Sequence, residues 1–152
     1  MNTNDIKIET MRQEHIDGLV AIEKASFSKP WTKQGFESEL ANDTANFLVA
    51  VYDNREIGYI GFHVVLDEGD VANIAVLPEY RRCGVGKILL ENAVRVCKEK
   101  KLAFLSLEVR KSNENAIALY KKFDFEIVGE RKNFYTAPKE DASIMTLNFT
   151  SD

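Results

Sequence analysis

The chain has 152 residues, 45% of them apolar and 29% charged, with a formal net charge of −4 and a pI of about 5.3. That balance suits one soluble globular domain over residues 1–152, large enough for a core of its own. It argues against sequence-independent nucleic-acid binding, which needs a basic footprint, but not against a basic polypeptide partner, and no run approaches the ~18 apolar residues that span a bilayer. The N-terminal "MNTNDIKIET" has no apolar signal core. Cys83 and Cys97 are the two cysteines, a usage that points to a reducing cytoplasm, with neither a disulfide nor a zinc site.

In chain order, "IKIE" (Ile6–Glu9) alternates like a short strand. Ile16, Leu19, Val20 and Glu23 fall at helical spacing, which predicts a helix from His15 to Ser26. Thr32 is placed to cap a second, short helix. "NFLVAVY" and "IGYIGFHVVL" read as strands joined by the turn pair Asp53-Asn54, and "DEGD" turns into a third, "VANIAVL". The three form an antiparallel meander. "KILLENAVRVCKEK" is an amphipathic helix with Leu89, Leu90, Ala93, Val94 and Cys97 on its apolar face. "LAFLSLEV" is nearly continuous in apolar residues, as in an interior strand covered on both faces. "SNENAIALYKKF" is a helix with Ser112 as candidate cap, and "FEIVGER" and "ASIMTLNF" are the last strands. A helix between "VANIAV" and "LAFLSLEV" implies a parallel crossover in a mixed sheet. The fold class is therefore mixed α/β (α+β).

Gly84 and Gly86 in "PEYRRCGVGKILLENAV" stand just before a helix. Free N–H groups and the helix dipole favour an anion there, and glycine lets a ligand approach the backbone. A dinucleotide fingerprint would need a third glycine where Leu89 stands, although Glu108 sits about where a ribose-binding acid would. A Walker loop would need glycine at Arg81 and a hydroxyl residue at Ile88. The pyrophosphate of coenzyme A is the third possibility, and a plain connecting loop the fourth.

"NIAVLPEYRRCGVGKILLENAV" followed by "LSLEVRKSNENAIALYKKFDF" resembles the GCN5-related N-acetyltransferase (GNAT) family over nearly the whole chain. "SFSKPWT", "LEVRKSNENAIALY" and "ERKNFYTAPKEDASIMTL" resemble its bacterial RimI branch, which acetylates the N-terminal alanine of the eighteenth small-subunit ribosomal protein. The resemblance implies one domain with a central sheet of six to seven strands flanked by four helices. It implies acetyl-CoA as cosubstrate and a protein N-terminus as acceptor; with the composition as it is, no metal, nucleic acid or membrane is expected as a partner.

It also implies residue roles. The backbone of Ile74, Ala75 and Val76 would pair with the pantetheine arm like an added strand. The loop Arg81, Arg82, Cys83, Gly84, Val85, Gly86 and Lys87 would cradle the pyrophosphate, and Asn113 would touch the coenzyme. A free α-amine has a pKa of about 7.7–8.0 and needs a base to become nucleophilic. Glu108, near the end of an apolar strand, is the candidate base; its plainer role is an ion pair with Arg110 or another cation. Tyr120, two helical turns from Asn113, is the candidate acid for the departing thiolate; otherwise it is a core aromatic. Asn113 is otherwise a cap beside Ser112. Trp31, Phe134 and Tyr135 are candidate peptide contacts, or anchors of their own loops. Cys83 is an incidental small residue, Cys97 is core, and His15 and His63 have no catalytic role. One departure is "Phe123-Asp124-Phe125", where relatives commonly carry glycine in the middle. Two other functions compete: acetylation of a small amine such as a polyamine or aminoglycoside, and a non-catalytic acyl-CoA-binding module.

Overall fold

The computed structural model describes residues 1–149; the end of the expected domain, 150–152, lies outside the described residues. Seven strands form one sheet: β1 (Lys7–Thr10), β2 (Ala45–Tyr52), β3 (Arg55–Val65), β4 (Glu68–Val76), β5 (Phe104–Arg110), β6 (Glu126–Thr136) and β7 (Lys139–Asn148). Their order is β1-β2-β3-β4-β5-β7-β6. Among the described residues the α-helices are four, α1 (Ile16–Ser26), α2 (Lys33–Leu40), α3 (Val85–Glu99) and α4 (Glu114–Lys122). β2, β3 and β4 are the expected meander, and β4 to β5 is the parallel crossover through α3.

Local chemistry explains most of these elements. Asp53 and Asn54 both take positive φ, 52° and 60°, the conformation a two-residue hairpin turn requires. Thr32 caps α2 by accepting from the Gly35 N–H at 3.1 Å. In α3 the buried set is Val85, Leu89, Leu90, Ala93, Val94 and Cys97, the stripe set by helical spacing. That stripe lies against one face of the sheet: a Cβ added at Gly58 on β3 would stand 3.2 Å from both Leu89 and Val85. On the other face, Tyr59 of β3 packs edge-on against Phe36 of α2 at 5.5 Å and stacks on Phe47 of β2 at 6.2 Å. Core therefore covers both faces of the meander.

Four local expectations change. The β3–β4 turn is at Leu66 and Asp67, and Glu68–Asp70 of "DEGD" belongs to β4 because both β3 and β5 offer it ladder partners. Asn113, not Ser112, caps α4, accepting from the Ala116 N–H at 3.2 Å, while the Ser112 N–H is taken by Glu140 at 2.7 Å. β6 runs on to Thr136 because β7 pairs with it from Lys139. β5 is covered on one face only: Leu105, Leu107 and Val109 are buried, while Phe104, Ser106, Glu108 and Arg110 are half-buried on the other. Its phenylalanine, serine and glutamate line an open cavity instead of core. At "FDF", Asp124 adopts the left-handed conformation with φ 71°, so α4 ends as a glycine would end it. Phe125 then folds back, 2% exposed, with its ring 5.7 Å from that of Tyr120.

Candidate active site

The site begins where the sheet splits. β4 and β5 pair over only three positions, Glu68 with Phe104 through Asp70 with Ser106. Beyond them β4 stays tied to β3 as far as Val76, and β5 to β7 as far as Arg110. The two strands diverge, and the edge of β4 that carries Ile74, Ala75 and Val76 faces the gap. Such an edge presents backbone donors and acceptors to any extended amide-bearing ligand.

The glycine loop lies at the end of this edge. Gly84 takes φ 86° directly before α3, and Arg82 is also left-handed with φ 62°. No side chain caps α3, so its first N–H groups stay free for an anion. Arg82 and Lys87 are exposed beside them. Arg81 is committed elsewhere: its Nε donates to the Val76 carbonyl at 3.1 Å and its Nη2 to Ser26 Oγ at 3.3 Å, bracing the loop against β4 and α1. Val85 is 1% exposed, which leaves only its backbone facing a ligand. Cys83 is a half-buried free thiol, 3.6 Å from the Arg81 carbonyl, and Cys97 is buried in the core.

Glu108 projects from the open face of β5 into a cavity of about 540 Å³, beside Asp70, Ser106, Arg131, Phe134 and Ile144. Its side chain is 19% exposed and its ion-pair partner is Arg131, at 3.7 Å. The ion pair of the plainer reading therefore forms with another cation, Arg131, and not with Arg110. Arg110 donates to the carbonyls of Pro138 and Ala137 at 2.9 and 3.2 Å, pairs with Glu140 at 3.2 Å, and lies 4.2 Å over the Tyr135 ring. Burial, and then the Asp70 carboxylate, push the Glu108 carboxyl above the usual glutamate range, with Arg131 opposing. Asp70 is raised as well, first by burial.

Tyr120 is 6% exposed on α4, and burial, with a smaller effect from Tyr135, pushes its hydroxyl up to about 12. Phe134 and Tyr135 meet edge-on at 5.0 Å on β6, and Phe134 is 45% exposed at the cavity. Trp31 turns inward, its ring 5.4 Å from Phe36 and 6.1 Å from Phe47, which makes it an anchor of its own loop. His15 accepts the Arg12 N–H at Nδ1, 2.9 Å, and His63, which lines the same cavity, contacts Glu39 of α2 at 2.6 Å. Asp70 and Arg131 were not expected here. Nothing local marks them, because strand register alone brings them to Glu108.

The comparisons with known proteins agree with this architecture. A model of the acetyltransferase (GNAT) family matches residues 16–125. The chain is 36% identical over 149 residues to the [ribosomal protein bS18]-alanine N-acetyltransferase of Escherichia coli K12, covering 97% of each. It is 48% identical over 139 residues to a Bacillus subtilis protein provisionally named for the same activity, covering 91% of this chain and 92% of the other. The crystal structure of the Escherichia coli ribosomal-protein-S18-alanine N-acetyltransferase superposes with a TM-score of 0.89 at 32% identity, over 97% of this chain and 96% of that one. With the family model reaching from α1 across the split sheet to the end of α4, and relatives aligned almost end to end, the chain belongs to the GNAT family of acetyltransferases.

Proposed function

We propose that this protein moves the acetyl group of acetyl-CoA to the N-terminal α-amine of a protein, specifically the N-terminal alanine of ribosomal protein bS18. It would act as a one-domain cytoplasmic enzyme that contacts neither nucleic acid nor membrane. The observation that carries the reading is Glu108: a shielded carboxylate with a raised pKa, beside the split in the sheet and in a cavity open to an incoming chain. The end-to-end likeness to bS18-alanine acetyltransferases supports the choice of acceptor.

The residues present fit acetyl-CoA. The edge of β4 that β5 leaves unpaired, at Ile74, Ala75 and Val76, would hold the pantetheine amides beside the bonds that the Ile74 N–H makes to Asn73 and the Val76 carbonyl to Arg81. The uncapped start of α3 from Gly84 to Lys87, with Arg82 and Lys87, would hold the pyrophosphate. Asn113 spends its Oδ1 on capping α4, so its amide nitrogen is the end left for the coenzyme. Bound there, the coenzyme supplies an activated thioester. Glu108 accepts the proton of the α-ammonium, directly or through water, and its raised pKa brings it closer to that of the amine. Tyr120 stays protonated throughout the physiological range and donates a hydrogen bond as negative charge gathers on the sulfur. Phe134 and Tyr135 on one side, and the Trp31 loop on the other, bound the groove for the peptide.

The test is mass spectrometry of a short basic peptide with a free N-terminal alanine, incubated with acetyl-CoA and enzyme. One acetyl group on the α-amine is expected, and none on the same peptide with a blocked N-terminus. Glu108→Gln and Tyr120→Phe should each lower kcat by roughly 10²-fold or more while coenzyme still binds. Full turnover in both variants would overturn the two roles. Transfer to a polyamine or aminoglycoside but not to the peptide would favour the small-amine reading, and coenzyme binding with no transfer at all would favour a binding module.

A further inference from the structure

Glu23 is 0% exposed on the inner side of α1. A carboxylate so deeply buried is costly unless its oxygens are fully bonded. Three neutral groups do this. Oε1 accepts the Trp31 N–H at 2.8 Å. Oε2 accepts the Tyr59 hydroxyl at 2.5 Å and Asn73 Nδ2 at 2.9 Å. Asn73 also donates to the Tyr59 oxygen at 2.8 Å, and its own Oδ1 accepts the Ile74 N–H at 3.0 Å. A continuous hydrogen-bonded path therefore runs from the backbone of the Trp31 loop, through Glu23 and Asn73, to the backbone at the start of the free β4 edge.

We infer that Glu23 is a positioning residue for acetyl transfer: it locks the loop bounding the peptide groove to the strand edge that holds the coenzyme. The inference rests on the proposed reading of those two segments. The amine and the thioester approach from different elements of the chain, and a reaction between them needs the two seats held in fixed relation. A carboxylate suits this position because both of its oxygens accept. Glutamine has the same shape but accepts at one end only. Its amide group must face either the Trp31 N–H or the Asn73 side chain. The first arrangement releases the loop. The second sets two N–H groups against each other, so Asn73 either lets go of residue 23 or turns its oxygen to the amide and lets go of Ile74, and the path is cut either way.

The experiment compares Glu23→Gln with Tyr59→Phe, reading both KM values, the melting temperature, and amide hydrogen exchange at Trp31 and Ile74. Tyr59→Phe removes a bond to Glu23 but leaves the path from Trp31 to Ile74 intact. Glu23→Gln should raise KM for the peptide or for acetyl-CoA roughly 10-fold, with faster exchange at the matching amide, while Tyr59→Phe lowers the melting temperature and keeps both KM values within about 2-fold. Unchanged KM values in Glu23→Gln, changed values without faster exchange at either amide, or equal KM changes in Tyr59→Phe would overturn the inference. If Glu23→Gln does not fold, Asn73→Ala cuts the same path at a half-buried position, and an unchanged KM for acetyl-CoA there overturns it. If the wild-type protein does not acetylate the peptide, the functional reading fails by itself. Glu23 is then judged on amide exchange and on the affinity for acetyl-CoA.

Discussion

Glu108 is governed by neighbours of opposite sign. Burial and the Asp70 carboxylate raise its pKa, and Arg131 lowers it. Replacing Asp70 by asparagine removes one raising influence, so the Glu108 pKa falls. The acidic limb of the kcat/KM–pH profile of Asp70→Asn should therefore move to lower pH than in the wild type, as steady-state rates across the acidic range would show. A limb that stays in place would mean another group controls it. Glu108 could be picked out in the sequence as a charge inside an apolar strand, but its partner could not. Alternation puts Arg110 on the same face, yet Arg110 is claimed by Glu140, two carbonyls and the Tyr135 ring of the β6–β7 hairpin. Those contacts come from residues more than twenty positions away in the chain.

Among the elements, α4 shows how a departure from the common pattern is absorbed. Asp124 accepts the left-handed turn with φ 71° and remains exposed, and its N–H donates to the Lys121 carbonyl at 3.0 Å. Glycine would take that conformation without the steric cost that a Cβ imposes. Asp124→Gly should therefore stabilise the protein by roughly 0.5–1 kcal/mol, seen as a higher urea midpoint with unchanged kcat. A lower midpoint would show that the aspartate makes a compensating contribution of its own. At the other end, spacing makes Ser112 the candidate cap, with Asn113 beside it as the alternative. Tertiary structure chose Asn113, whose Oδ1 accepts the Ala116 N–H, while Glu140 reaches across from β7 and holds the backbone of Ser112.

For the whole molecule, the split sheet puts function and stability in opposition. Below the ordinary glutamate range, Glu108 is protonated in both folded and unfolded chains. As pH rises, the unfolded chain ionises first, because the folded pKa is the higher of the two. Stability that is complete at low pH is thus lost progressively until pH passes the folded pKa. Glu108→Gln should melt at a higher temperature than the wild type at pH 7, with the difference disappearing at pH ~3, where the wild-type carboxyl is also neutral. Thermal melts at both pH values check this. An inactive variant that is no more stable at pH 7 would show that Arg131 offsets the full cost of burying the charge.

The sequence by itself determined the order and kind of the elements, the amphipathic stripe of α3, the Asp53-Asn54 turn and the glycine loop before a helix. Each of these depends on residues within a few positions of one another, through side-chain period, capping and backbone freedom. Family motifs, also local in the chain, pointed to Glu108 and Tyr120. Only the tertiary structure decided that β5 leaves one face open, that Asp70 and Arg131 share the cavity with Glu108, and that Trp31 turns inward. It also made Glu23, which sits at an apolar-stripe position of α1, the junction of Trp31, Tyr59 and Asn73. These meetings follow from strand register and helix docking between distant segments. No local pattern encodes them, because a strand shifted by one residue would turn each of its side chains to the opposite face.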